Sequence, residues 1–181
     1  MEDISLHILD IVENSMDAGA TEIEIYINED MEGNLLKLEI KDNGRGMNGE
    51  TARKITDPFY TTKKVRRIGL GIPMLAQSAR EANGSIEIDS KPGEGTTIKA
   101  NFVYDHIDRR PFGNLPETII NLIAGRGEDI DIIYEHCKNE NCFIFNSKEV
   151  KEELQDVAIN HPEVLRYLRN EIKKGLEKLR K

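Results

Sequence analysis

The chain has 181 residues, 38% of them apolar, and carries 33 Asp and Glu against 25 Lys and Arg, a net charge of −8. That suits one domain of ordinary size or a small domain with an appendage, and no run approaches the ~20 apolar residues of a membrane span. An acidic start without an apolar stretch argues against a secretory signal, the acidic balance argues against a nucleic-acid coat, and two lone cysteines point to a reducing cytoplasm.

Ile4, Ile8, Ile11, Val12, Ser15 and Met16 recur at three-to-four spacing, which predicts an amphipathic helix over 3–17 ending near Gly19. Ile23, Ile25 and Ile27 alternate with polar residues as one strand, and Leu36, Leu38 and Ile40 as a second beyond Gly33-Asn34. An irregular stretch to Arg67 follows, then a helix from Leu70 to Ala82 stopped by Asn83-Gly84. Ile86 and Ile88 mark a third strand and Thr96 to Tyr104 a fourth. The order predicts an α+β, two-layer sandwich with helices on one face of a mainly antiparallel, mixed sheet.

Periodicity breaks between Asp105 and Pro116. Residues 105–146 then read as a linker, a short helix at Glu117 to Ala124 and a hairpin of Ile130–Cys137 with Cys142–Phe145. Residues 147–181 read as a C-terminal helical segment: one helix carrying Val150, Leu154 and Val157, and one starting at Pro162 with Leu165, Leu168, Ile172, Leu176 and Leu179 in a stripe. That tail holds 9 basic and 7 acidic side chains against 16 and 26 in the preceding 146 residues, so it differs in character from the body. Its stripe is short for an independent coiled coil, which favours docking over dimerisation, with a homodimer as the alternative.

Three clusters carry chemistry. Asp10 and Asn14 share a helix face, with Asp17 close to it, a set of oxygen donors suited to magnesium. Asp42-Asn43-Gly44-Arg45-Gly46-Met47 closes a strand with glycines that permit a bend and a carboxylate able to accept from an exocyclic amine. Gly69-Leu70-Gly71 opens a helix whose free amides suit a phosphate. Singly, each also reads as an ordinary solvated face, turn or helix start.

Together, in order, they resemble the ATP-binding domain shared by gyrase, the ninety-kilodalton chaperones, histidine kinases and MutL proteins, the GHKL superfamily. Glu13 to Thr21 is similar to the N box, Asp42 to Met47 to the first glycine box, Asp57 to Lys63 to the histidine-kinase F box, Gly69 to Ile72 to the second glycine box, and Gly93 to Thr97 to the closing glycine-threonine turn. The resemblance covers about residues 4–104 and implies a domain of residues 1–104.

It implies that Asn14 ligates a magnesium ion, that Asp42 takes the adenine amino group, and that Gly46 lets the base lie against the backbone. Residues 48–68 would form a lid, Gly69 to Gly71 would hold phosphate, and Thr97, or its neighbour Thr96, would support adenine through water. Asp17, Gly44, Met47 and Leu70 complete the implied nucleotide-contacting set. Among the lid cations Lys63, Lys64, Arg66 and Arg67, Lys63 is the one in the F box and the choice for the γ-phosphate. Asp10 stands where hydrolysing relatives carry Glu, so it is the candidate general base, one methylene short; Glu13 lies about 100° around the helix.

No dimerisation helix is expected ahead of the domain, and neither His7 nor His161 sits in a phosphoacceptor motif. The expectation is therefore a free-standing, cytoplasmic Mg-ATP-binding regulatory protein that switches or phosphorylates a partner. The alternatives are a serine or histidine kinase acting in trans and, disfavoured by the acidic body, a MutL-like repair ATPase. Neither general nucleic-acid binding nor membrane association is expected. Cys137 and Cys142 read as two reduced, partly packed thiols, with a redox-sensitive pair as the alternative, and His136 points to the other face of its strand.

Overall fold

A computed structural model describes residues 3–57 and 70–181. Asp3 caps helix α1 (Ile4–Asp17) by accepting from the Leu6 N–H, and the stripe Ile4, Ile8, Ile11 and Val12 is buried. Strands β1 (Glu22–Asp30) and β2 (Leu35–Asp42) pair antiparallel, from Ile23 opposite Asp42 to Asp30 opposite Leu35. Where irregular chain was expected, Asn48 caps a short helix α2 (Gly49–Lys54), supported by a 2.6 Å Glu50–Lys54 ion pair one turn apart. Helix α3 (Gly71–Glu81) leads to β3 (Ser85–Lys91) and β4 (Gly95–Val103). Then come α4 (Leu115–Arg126), β5 (Asp131–Lys138), β6 (Asn141–Asn146), α5 (Ser147–Leu154) and α6 (Pro162–Leu179).

Among the described residues six strands form one sheet in the order β3-β4-β2-β1-β5-β6, in which only β1 and β5 run parallel. Period-two alternation sorts its faces. Ile23, Ile25, Ile27, Leu36, Leu38, Ile40, Ile98, Ala100, Phe102, Ile132 and Tyr134 share a core with α1, α3 and α4. The opposite face is polar, and there Lys41 pairs with Glu24 at 2.8 Å. The α+β class with a mainly antiparallel mixed sheet is the architecture found.

The break in periodicity at 105–116 does not break the sheet. β5 lies along β1 from Glu22 opposite Asp131 to Glu29 opposite Lys138, so the hairpin assigned to a linker segment supplies two of the six strands. Antiparallel neighbours need only a turn, but a parallel one needs a crossover, and α4 lies within it. Helix α6 docks as its stripe suggested. Leu168, Ile172, Leu176 and Leu179 are buried against α4 and the hairpin, and Arg169 grips Glu117 of α4 with two hydrogen bonds of 2.8 and 3.1 Å. Val157 lies beyond the end of α5 and is exposed.

A buried polar network joins β5 to β1 at the far end of the sheet. Tyr104 Oη donates to Glu29 at 2.8 Å, and His136 Nε2 lies 2.7 Å from the other carboxylate oxygen while its Nδ1 meets Tyr134 Oη at 2.9 Å. Burial opposes ionisation of Glu29, but the bonds from His136 and Tyr104 outweigh it and hold the carboxyl below its usual range. An ionised Glu29 only accepts, so His136 Nε2 donates, and in the neutral ring Tyr134 donates to Nδ1.

Cys137 and Cys142 stand directly opposite each other and are joined in a disulfide, which corrects the reading of two reduced thiols. The tight turn at Asn139-Glu140 sets this register, with Asn139 at φ 52°, and brings both sulfurs to the outer face. His136 lies on the inner face, as alternation required. Among the described residues no helix is long and apolar enough to cross a membrane.

Candidate functional site

Asp42 ends β2 on the core-facing side and is 9% exposed beneath the C-terminal part of α1. Ser15 Oγ donates to its Oδ2 at 2.7 Å and the Gly44 N–H to its Oδ1 at 2.8 Å. Each carboxylate oxygen has two lone pairs, so one on each stays open to a further donor. Ser15 Oγ also lies 3.2 Å from the Ile11 carbonyl, an alternative acceptor one turn back.

The loop after Asp42 is pinned on both sides. Asn43 Oδ1 accepts from the N–H groups of Thr21 and Glu22 at 2.8 and 3.0 Å, which clamps the loop to the start of β1. The Arg45 N–H donates to the Ala18 carbonyl at 3.0 Å, the Gly93 N–H to the Arg45 carbonyl at 2.7 Å, and the Met47 N–H to Ser90 Oγ at 2.8 Å. Gly46 sits at φ 66°, and a Cβ there would overlap the Lys91 carbonyl. Glycine is thus required for the loop to pack on the β3–β4 turn, quite apart from any approach of a base.

Asp10 and Asn14 are both half-buried on one face of α1, as the i, i+4 spacing required. The Asp10 carboxylate rests where a side chain at Gly71 would be, so the helix face and the second glycine motif meet at this point. Helix α3 starts there with no side-chain cap at Leu70, and Pro73 contributes no N–H. The first-turn amides of Gly71 and Ile72 therefore carry the donor capacity of this end. Glu13 is exposed and off that face, and Asp17 is exposed at the end of α1, 4.0 Å from Arg126. Lys63, Lys64, Arg66, Arg67 and Gly69 lie outside the described residues, as does the F-box stretch beyond Asp57.

Register corrects one assignment. Thr96 pairs with Asp42 and shares the face of Ile98 and Ala100, whereas Thr97 pairs with Lys41 and faces the other side of the sheet. Thr96 Oγ1 lies 2.8 Å from Ser90 Oγ, close to the loop that carries Gly46 and Met47. Of the two threonines, Thr96 is the one on the Asp42 side of the sheet. Sequence reasoning gave no role to Ser15, Asn43 or Ser90. A serine within an otherwise apolar stripe was the available signal for Ser15; the other two depend on contacts between distant segments.

The donor set fits the implied groups. Asp10 and Asn14 offer hard oxygens on one face, the start of α3 offers amides, and buried Asp42 keeps acceptor capacity. His7, one turn before Asp10, has a different character. It is 1% exposed, neither ring nitrogen has a hydrogen-bond partner among the described residues, and burial, with Arg110 adding to it, lowers its pKa to about 4.

Residues 2–106 match the model of the family described as histidine kinase-, DNA gyrase B- and HSP90-like ATPase, and the chain belongs to that family. It is 30% identical over 86 residues to the sensor histidine kinase YxdK of Bacillus subtilis, covering 45% of this chain and 25% of the relative. It is 34% identical over 89 residues to the sensor protein kinase FleS of Pseudomonas aeruginosa, covering 49% and 22%. The chain spans no more than a quarter of the length of either kinase. In fold it is similar to the N-terminal domain of a DNA repair protein, with a TM-score of 0.55 at 13% identity over 80% of this chain and 52% of the other.

Proposed function

We propose that the chain binds magnesium-ATP between α1, the Asp42–Met47 loop and the start of α3, and that this binding switches or phosphorylates a partner protein. The observation that carries the reading is Asp42: a buried carboxylate held by Ser15 and Gly44 with a lone pair to spare on each oxygen. Burying such acceptor capacity costs free energy unless a donor meets it, and the exocyclic amine of adenine is such a donor. Asn14 would hold the magnesium ion, and the Gly71 and Ile72 amides would face phosphate. ATP supplies the transferable phosphoryl group.

Kinase activity in trans is the second reading, and one observation favours it. Asp10 lies against the first residue of α3, where phosphate is proposed, so its carboxylate stands within reach of a hydroxyl or imidazole brought there by a partner. Incubation of the full chain with γ-labelled ATP and the proteins that co-purify with it separates the readings. Label on a partner that depends on Asp10 supports the kinase. Tight binding with no transfer or hydrolysis above control supports the switch. No ATP binding overturns both.

A further inference from the structure

Beyond the nucleotide site, the outer face of the β5–β6 hairpin brings Glu135, Cys137 and Cys142 together, with one ligand atom from each lying within 4.8 Å of the others. Glu135 and Cys137 are two apart on β5 and so project to the same side, while Cys142 stands opposite Cys137 on the edge strand β6. Glu135 Oε1 approaches Cys137 Sγ to 3.4 Å. Tetrahedral zinc with Zn–S near 2.3 Å and Zn–O near 2.1 Å needs ligand-to-ligand edges of about 3.6–3.8 Å; the Glu135–Cys137 approach is close to that scale, and the two sulfurs, bonded to each other in the disulfide, must part to reach it on reduction. Cys142 is exposed, which leaves a side of the site open to water as a fourth ligand.

We infer that in its dithiol form this hairpin binds a soft divalent cation of the zinc class through Glu135, Cys137 and Cys142, and that the Cys137–Cys142 disulfide is the form that cannot bind it. Two thiolates select zinc or cobalt over magnesium and calcium, so the site is chemically distinct from the oxygen donors at Asp10 and Asn14. The neighbourhood is electronegative. On the same face, Tyr26 of β1 stands between Glu135 of β5 and Glu39 of β2.

The conversion balances with an external dithiol reductant. It gives two electrons and two protons to the S–S bond, leaving two thiols on the chain and becoming a disulfide itself. The metal then displaces both thiol protons to solvent. A disulfide oxidant reverses the exchange and releases the ion.

The test uses the full chain, reduced and titrated anaerobically with cobalt(II) alone and then with zinc. The expected result is one cobalt per chain with a thiolate-to-cobalt charge-transfer band that zinc abolishes, and no band in the oxidised chain or in Cys142→Ser. Because changes even to outer-shell partners cost 10–100-fold in metal affinity, Glu135→Gln should weaken binding by at least about tenfold. A reduced chain without the band, a band that persists in oxidised protein or in Cys142→Ser, or unchanged affinity in Glu135→Gln overturns the inference. Alkylation of Cys142 in the unmutated reduced chain gives a check independent of the variants: zinc should slow it, and equal rates with and without zinc count against the site.

Discussion

Replacing Asp42 by Asn tests the adenine contact with little disturbance to the fold. The new amide oxygen can keep the bond from the Gly44 N–H, now 2.8 Å from Oδ1. Its NH2 then faces Ser15, and the serine hydroxyl can accept from it by turning its own proton to the Ile11 carbonyl, 3.2 Å away. The internal bonds are thereby re-satisfied, and stability should change by no more than about 1 kcal/mol. Adenine fares differently, because its amino group loses a charged acceptor and meets an amide donor. That loss is about 2–4 kcal/mol, or some thirty- to several-hundredfold in affinity. Calorimetry with ADP, beside a thermal melt of both proteins, measures the two quantities separately. An Asp42→Asn protein that melts like the parent and binds ADP equally well would refute the proposed contact.

Asn14→Ala should weaken magnesium-ATP binding more than metal-free ADP binding, and calorimetry showing equal losses would mean that Asn14 does not act through the ion. Asp10→Asn should leave ATP affinity within a few-fold while lowering transfer or hydrolysis by about 10²–10⁴ in single-turnover assays with γ-labelled ATP. Gly71→Ala should lower the same rate by displacing the Asp10 carboxylate; rates equal to the parent in both variants would remove Asp10 as the base. For His7, the folded pKa of about 4 lies below the ordinary 6.5, so between these values the unfolded chain binds more protons and stability falls as pH drops. The full loss is up to about 3 kcal/mol, and His7→Leu should flatten urea-melt stability across that window; an unchanged pH slope would show that His7 is not buried neutral.

The elements that place the site were legible because each is written in a local period. The stripe of α1 fixes Asp10 and Asn14 on one face, and the alternation of β2 brings Asp42 to the inner side beside Ile40. What escaped depends on contacts distant in sequence. Joining β5 to β1 is a tertiary choice that no hairpin pattern reveals, so the break at 105–116 resembles a boundary although the sheet continues past it. Thr96 and Thr97 are adjacent and chemically alike, and only the register with β2 tells them apart. The cap of α2 was readable, since Asn48 precedes Glu50 and Lys54 at i, i+4 spacing, but at six residues the helix is too short to show a period. The cysteines were set by a turn whose register follows from Asn139 in the left-handed region, a position asparagine tolerates.

Amide chemical shifts of the full chain, followed through a titration with magnesium and a non-hydrolysable ATP analogue, show whether nucleotide enters between α1, the Asp42 loop and the start of α3. Saturable shifts are expected at Asn14, Gly44, Gly46, Gly71 and Thr96, while Asn139 and Cys142 at the far end of the sheet stay unmoved. Shifts absent from the Asp42 loop and the start of α3, or centred on the β5–β6 hairpin, would contradict binding there.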